Sequence, residues 1–244
     1  MMPEAGMAGG PFKETYRVSR GPTKSTAHNS SKFDSLWPVY EELLVNFGRT
    51  SSSLNYLNLA SQKTESITAV LTCEEITAFL RSASHYERER DYAPATGPLV
   101  NQLIKNLYQN KPQIIGLNLE GIKPFDFLGD HISSAKKNPL IVIIKGEVGD
   151  WCFNYSKGTF FTEKADLGFA FAGSGTYYVR EAGSFPGQGS TSARFVIQNL
   201  TKTFGQRITK SRFFVKDGLS QQKLEDAVLL RRCTCYSPQE SHKL

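Results

Sequence analysis

Apolar residues recur at intervals of three and four from Phe33 to Phe47: Phe33, Leu36, Trp37, Tyr40, Leu43, Leu44 and Phe47. This is the spacing of an amphipathic helix, bent or begun at Pro38. The stretch from Gly48 to Ser66 is Ser/Thr-rich apart from Leu54, Tyr56, Leu57 and Leu59, and it predicts a loop with one short packed turn. Thr72-Cys73-Glu74-Glu75 has the form of a capping box, in which the threonine oxygen accepts from an early helix amide and Glu75 reaches back. The helix it opens has Ile76, Phe79, Leu80 and Ala83 on its core face, a solvated charge run at 87–91 and a limit at Pro94. A second helix follows Gly97-Pro98 with Leu99, Leu103, Ile104, Leu107 and Tyr108 on one stripe, and the two form an αα-hairpin-like pair.

Beyond Gln113 the period changes. Six segments align beneath one another, beginning at Gly116, Ile141, Phe160, Tyr177, Phe195 and Phe213, with steps of 25, 19, 17, 18 and 18 residues. The last five each carry strand-forming residues, then a polar pair, and usually Gly or Ala, as at Gly146, Ala165, Ala182 and Gly218. Eighteen residues are too few for a strand, a crossover helix and a return, but enough for one coil of short strands and tight corners. A fixed step of this content is the mark of a solenoid, whose turns bury their apolar side only by stacking. The expected fold class is therefore α+β: a helical N-terminal region followed by a parallel β-helix of five to six coils, with glycines at the corners. The expected division is a disordered tail at 1–35, helices at 36–112, the β-helix at 113–218, and a capping helix and tail at 219–244.

Ile141 to Ile144, Gly146, Val148-Gly149-Asp150-Trp151 and Gly158 resemble the GXGXG-type β-helix found at the C-terminus of the large chain of glutamate synthase and in one of the chains of formylmethanofuran dehydrogenase. The order of Thr96-Gly97 to Tyr108, Leu117 to Gly121 and Asn138-Pro139-Leu140 to Trp151 is similar to uncharacterised archaeal proteins in which a helical segment precedes such coils. The resemblance covers about 95–218 and weakens after Gly175, where aromatic residues replace the glycine-rich pattern. It implies a right-handed coil and a rigid connecting element. It carries over no catalytic residue, and fold likeness alone is an associational warrant for function.

Composition narrows the class. The longest aliphatic run, Leu140 to Ile144, is far short of the ~20 residues a membrane helix needs, and no signal-like apolar stretch occurs near the start, so the expectation is a cytoplasmic protein without membrane contact. Cys73, Cys152, Cys233 and Cys235 are too few and too scattered for a stapled secreted fold. Net charge is +6, and the excess lies in residues 194–244, where ten Lys/Arg face four Asp/Glu. The basic residues Arg194, Lys202, Arg207, Lys210, Arg212 and Lys216 interleave with Phe195, Phe204, Phe213 and Phe214. Basic and aromatic residues together suit single-stranded nucleic acid. Because these rings fall at inward strand positions, a core role ranks first, and the charges guard the open end of the sheet.

Glu147 and Asp166 occupy equivalent places in the alignment, which predicts two stacked acids that could bind a cation or serve a glycan-active site, against the simpler reading of two solvated turn carboxylates. Cys233-Thr234-Cys235 offers two thiolates but lacks companions for a tetrahedral site. His28, His85, His131 and His242 share no ligand spacing, no short nucleotide, zinc or serine-hydrolase motif occurs, and no cofactor is expected. The sequence points first to a non-enzymatic structural or protein-interaction module with a protein partner. Behind it stand a structural subunit of a larger redox or amidotransferase assembly, and a glycan-binding or glycan-cleaving β-helix.

Overall fold

The computed structural model describes residues 30–47, 53–109, 111, 113–135, 137–184, 186–201, 211–215 and 234–236. Among the described residues five α-helices precede the sheet: α1 (Ser30–Phe33), α2 (Trp37–Phe47), α3 (Ser53–Glu65), α4 (Cys73–Ser82) and α5 (Tyr92–Tyr108), with a 3₁₀ turn at Ala83–Tyr86. The strands are β1 (Gln113–Asn118), β2 (Leu140–Val148), β3 (Thr159–Ala165), β4 (Thr176–Ala182), β5 (Arg194–Leu200), β6 (Arg212–Val215) and β7 (Thr234–Tyr236). They form one parallel sheet in chain order, each strand pairing only with its neighbours in sequence. The chain is α+β, and its second part is a β-solenoid of about four turns.

The strand rule is visible in the burial. In β3, β4 and β5 the pattern is outward, inward, outward, inward, two outward, inward. The first inward position is aromatic in four successive coils, so Phe160, Tyr177, Phe195 and Phe213 stack into a ladder with centroids 5.4, 5.1 and 4.7 Å apart. These rings are buried, as their inward positions predict. Tyr177 is the polar member of the ladder, and its hydroxyl donates to the Ser156 carbonyl at 2.8 Å, so it is buried without being stranded.

On the return side the backbone follows a different rule. Positive φ occurs at alternate residues: Phe127, Gly129 and His131; Trp151, Phe153 and Tyr155; Gly168, Ala170 and Ala172; Gly187 and Gly189. The N–H groups of successive positive-φ residues, two apart in the chain, point to opposite neighbours along the stack. Phe153 donates back to Leu128 and Ala170 to Cys152, while Trp151 donates forward to Leu167 and Tyr155 to Phe171, all within 2.7–2.9 Å. Side-chain ladders reinforce it: Asp126 accepts from the Asp150 amide, Asp150 from Leu167 and Asn154 from Phe171, at 2.9, 3.1 and 3.0 Å.

The helices are not a separate layer. One core cluster runs from Phe33 to Phe213, and α5 closes the first coil. The buried Asn101 amide donates to the Phe127 carbonyl at 2.8 Å and its oxygen accepts from the Gly129 amide at 2.6 Å, supplying bonds that a preceding coil would otherwise make. Gly97 makes this approach possible, since a Cβ there would stand 1.8 Å from the Asp126 carbonyl oxygen.

Several expectations change. Residues 53–65 are helical rather than a loop, because Ala60 and Thr64 are buried against the core and tertiary packing overrides weak propensity. The Asn106 amide then fixes the chain after α3 by donating to the carbonyls of Ile67 and Ala69. Helix α5 begins at Tyr92, not after Pro98: Pro94 lies in the first turn, where its missing N–H is harmless, and Pro98 forfeits one interior bond. The preceding helix ends at Ser82, so the charge run is a turn, with Glu87 accepting from the Lys123 amide. The Thr72/Glu75 capping box is formed as expected. Ser30–Phe33 lies inside the predicted tail yet is helical. The backbone of Thr234–Tyr236, expected in a mobile tail, pairs as a strand with β6. The predicted helix at 219–232 lies outside the described residues.

Candidate interaction surface

The outward side chains of the sheet form columns, since register partners stand one strand spacing apart, about 4.8 Å. One column reads Gly116, Ile143, Phe161, Tyr178, Val196, Phe214. From Ile143 to Phe214 it spans about 19 Å. Ile143 is 43% exposed, and Ile114, on the neighbouring column, is 64% exposed. Phe161 and Tyr178 are half-buried and stacked on each other, centroids 4.3 Å apart and planes 5° from parallel.

Charges flank this column in alternating sign. Past it run Lys145, Glu163 and Arg180, then Glu147, Lys164 and Glu181. Lys164 donates to Glu147 at 2.6 Å, and that bond holds the lysine above its usual pKa. Lys145 pairs with Glu120 at 2.9 Å, and the Glu163 carboxylate accepts from the Gly146 amide at 3.0 Å. On the other side Arg194 and Arg212 are register partners, both exposed, with the Arg194 guanidinium 4.7 Å over the Phe214 ring. Among the described residues Arg180, Arg194 and Arg212 make no ion pair.

This register corrects the stacked-acid expectation. Glu147 partners Lys164, and Asp166 comes two residues later, beside Gly183. Ile141 pairs with Thr159 rather than with Phe160, one residue off the aligned segments, and a bulge at Gly146 (φ 109°) between Ile144 and Glu147 adds a second. The bulge is hard to see in sequence because glycine also ends the neighbouring strand segments. Of the basic candidates, Arg212 is on the outward sheet face; Arg207, Lys210 and Lys216 lie outside the described residues.

Chemistry elsewhere is dispersed. The Cys152 thiol is fully buried, and burial pushes its pKa well up, the opposite of what a nucleophile requires. Cys73 lines an open groove of about 460 Å³ between α4 and β1, with Thr77, Arg81, Gly116 and Asn118. Asp130, which sequence reasoning missed, is buried beside the first coil; its Oδ1 has no hydrogen-bond partner and stands 3.9 Å from His131 Nε2. Burial raises its pKa to about 7, against a smaller opposing effect of Lys105. His131 stacks on Tyr155 at 4.8 Å, and Phe171 meets both Tyr155 and Trp151 edge-on. No group of three or more metal-ligating side chains occurs among the described residues, and none of their helices is long and apolar enough to cross a membrane.

No family model, curated protein or solved structure matches this chain.

Proposed function

We propose that this protein is a non-enzymatic interaction module, a rigid solenoid that presents the outer face of its parallel sheet to a protein partner. The observation that carries the reading is the apolar column on that face. The outer face of a solenoid sheet meets solvent, and exposed Ile114 and Ile143 beside a half-buried aromatic pair make part of it an apolar surface with burial still to gain. The resemblance to the glutamate synthase β-helix supports the same role, since it implies a connecting element whose chemistry resides on other domains or chains. The solenoid suits such a role because its shape is held by stacked coils and by α5 at one end.

The test uses the full-length protein carrying Ile143→Asp and Phe161→Asp on the sheet face, with Tyr155→Asp at an exposed position of the return side as control. The unaltered chain and the Tyr155 variant should retain one near-stoichiometric protein in affinity capture from native lysate, and the sheet-face variants should lose it. The same co-eluting set from all of them, or none from the unaltered chain, overturns the reading.

A further inference from the structure

Arg194 and Arg212 project from adjacent strands, about 4.8 Å apart, on one exposed face. Like charges opposite each other on neighbouring strands repel, and no carboxylate among the described residues answers them. Arg180 stands on the far side of the apolar column, about 14 Å from Arg194 by strand geometry, and is likewise without an ion pair there. Lys145 and Lys164 are neutralised by Glu120 and Glu147, and Arg180 stands beside Glu163 and Glu181, so the positive excess of the face lies at Arg194 and Arg212, next to Val196 and Tyr178. We infer that the occupant of this face is an acidic, apolar protein segment: its carboxylates meet Arg194 and Arg212, and its aliphatic or aromatic side chains lie along the column from Ile143 to Val196. The inference rests on the docking reading above and names the partner's chemistry.

The ring geometry selects protein over nucleic acid. Bases bind by stacking on open aromatic faces. Here Phe161 and Tyr178 turn their faces to each other at 4.3 Å and have Ile143 and Val196 as neighbours on either side, so edges rather than faces meet an incoming group. Ring edges and β-branched side chains accept aliphatic contacts. The guanidiniums beside them offer paired donors matched to carboxylates.

Four fluorescent probes of equal length test this by anisotropy at low salt with the full chain: an alternating Glu-Leu peptide, a Glu-Ser peptide, a Lys-Leu peptide and oligo-dT. The Glu-Leu peptide should bind, and the other three should bind at least tenfold more weakly. Arg194→Glu with Arg212→Glu should weaken the Glu-Leu peptide at least tenfold, about 1.4 kcal/mol. Arg194→Gln with Arg212→Gln should give a smaller loss at an unchanged melting temperature, separating charge from folding. Absent Glu-Leu binding, binding indifferent to the arginine variants, or tighter binding of oligo-dT each overturns the inference. If Phe161→Asp abolishes partner capture while arginine reversal leaves it intact, the acidic partner is wrong and the docking face stands; if neither matters, both fall.

Discussion

Each coil has two sides built on opposite terms. On the sheet side the backbone is ordinary extended strand, and sequence identity matters mainly at the inward positions of β3, β4 and β5. On the return side the backbone itself is the specialised element, with Trp151, Phe153, Tyr155, Ala170 and Ala172 held at positive φ. An L-residue there costs roughly 1–2 kcal/mol. The cost is offset because each such N–H finds a carbonyl in the coil above or below. The sheet side is therefore free to vary outward, where a binding face can be built, whereas the return side keeps the stack in register.

The largest effect should come from the inward ladder. Phe195 is fully buried and stacks on both Tyr177 and Phe213. Phe195→Ala should cost about 3–5 kcal/mol in urea denaturation. The return side should be nearly as intolerant, for another reason. Ala170→Val places a β-branched residue at φ 55° in a fully buried site and should cost about 2–4 kcal/mol. If Ala170→Val is neutral, the claim that backbone conformation governs that side fails. Asn101→Ala sharpens the same point at the capped end. It leaves the Gly129 amide unpaired and the Phe127 carbonyl with only the Asp130 amide as donor, and a loss of about 1–3 kcal/mol is expected, with faster amide exchange at Gly129.

How much of this was legible follows from the same contrast. Inward aromatics at a step of 17 or 18 residues declare the ladder, and the Thr72-to-Glu75 capping box declares α4, because both are patterns of side-chain type. The alternating return shows in sequence only at its glycines, Gly129, Gly168, Gly187 and Gly189; Trp151, Phe153 and Tyr155 carry no such signal, and their conformation is fixed by the hydrogen bonds their N–H groups donate to carbonyls of the adjacent coils. The start of α5 was hidden because Pro94, Gly97 and Pro98 read as breakers, whereas Gly97 is there for its approach to Asp126. Of the outward face Arg212 stood among the candidates; Phe214 was expected among the inward rings, and although it is buried it takes the outward register position beside Val196. The register of that face was not legible, because the aligned starts Ile141 and Phe160 are one residue out, Ile141 pairing with Thr159, and the Gly146 bulge adds a second, which together bring Glu147 to Lys164.

Asp130 gives the return side a pH signature that the sheet side lacks. Its pKa is raised in the folded protein to about 7 from 3.8, so between those values the folded state holds a proton that the unfolded state has released. Stability on this account is full below about pH 4, falls as pH rises through 7, and levels above it. The loss between pH 5 and pH 8 should be on the order of 2 kcal/mol, and Asp130→Asn should flatten it. His131 titrates nearby with its pKa lowered, mainly by burial, so the difference in pH slope between His131→Gln and the double variant His131→Gln with Asp130→Asn isolates the carboxyl contribution. An unchanged pH slope in Asp130→Asn would show that the unpaired Oδ1 is not the source.

The smallest effect on folding should come from the outward column, and its smallness is informative. Ile143 already leaves 43% of its surface in water, and threonine is a good strand former, so Ile143→Thr should alter stability by no more than about 0.5 kcal/mol. Binding should respond in the opposite proportion, because a residue that contributes little to the fold can contribute its whole apolar surface to a partner. A urea midpoint that barely moves, with at least a severalfold loss of Glu-Leu peptide affinity, separates folding from docking on one side chain. A loss above about 2 kcal/mol would instead place Ile143 within the folded core. The outer face would then be a packed surface, and the contrast between a permissive sheet side and a strict return side would not hold.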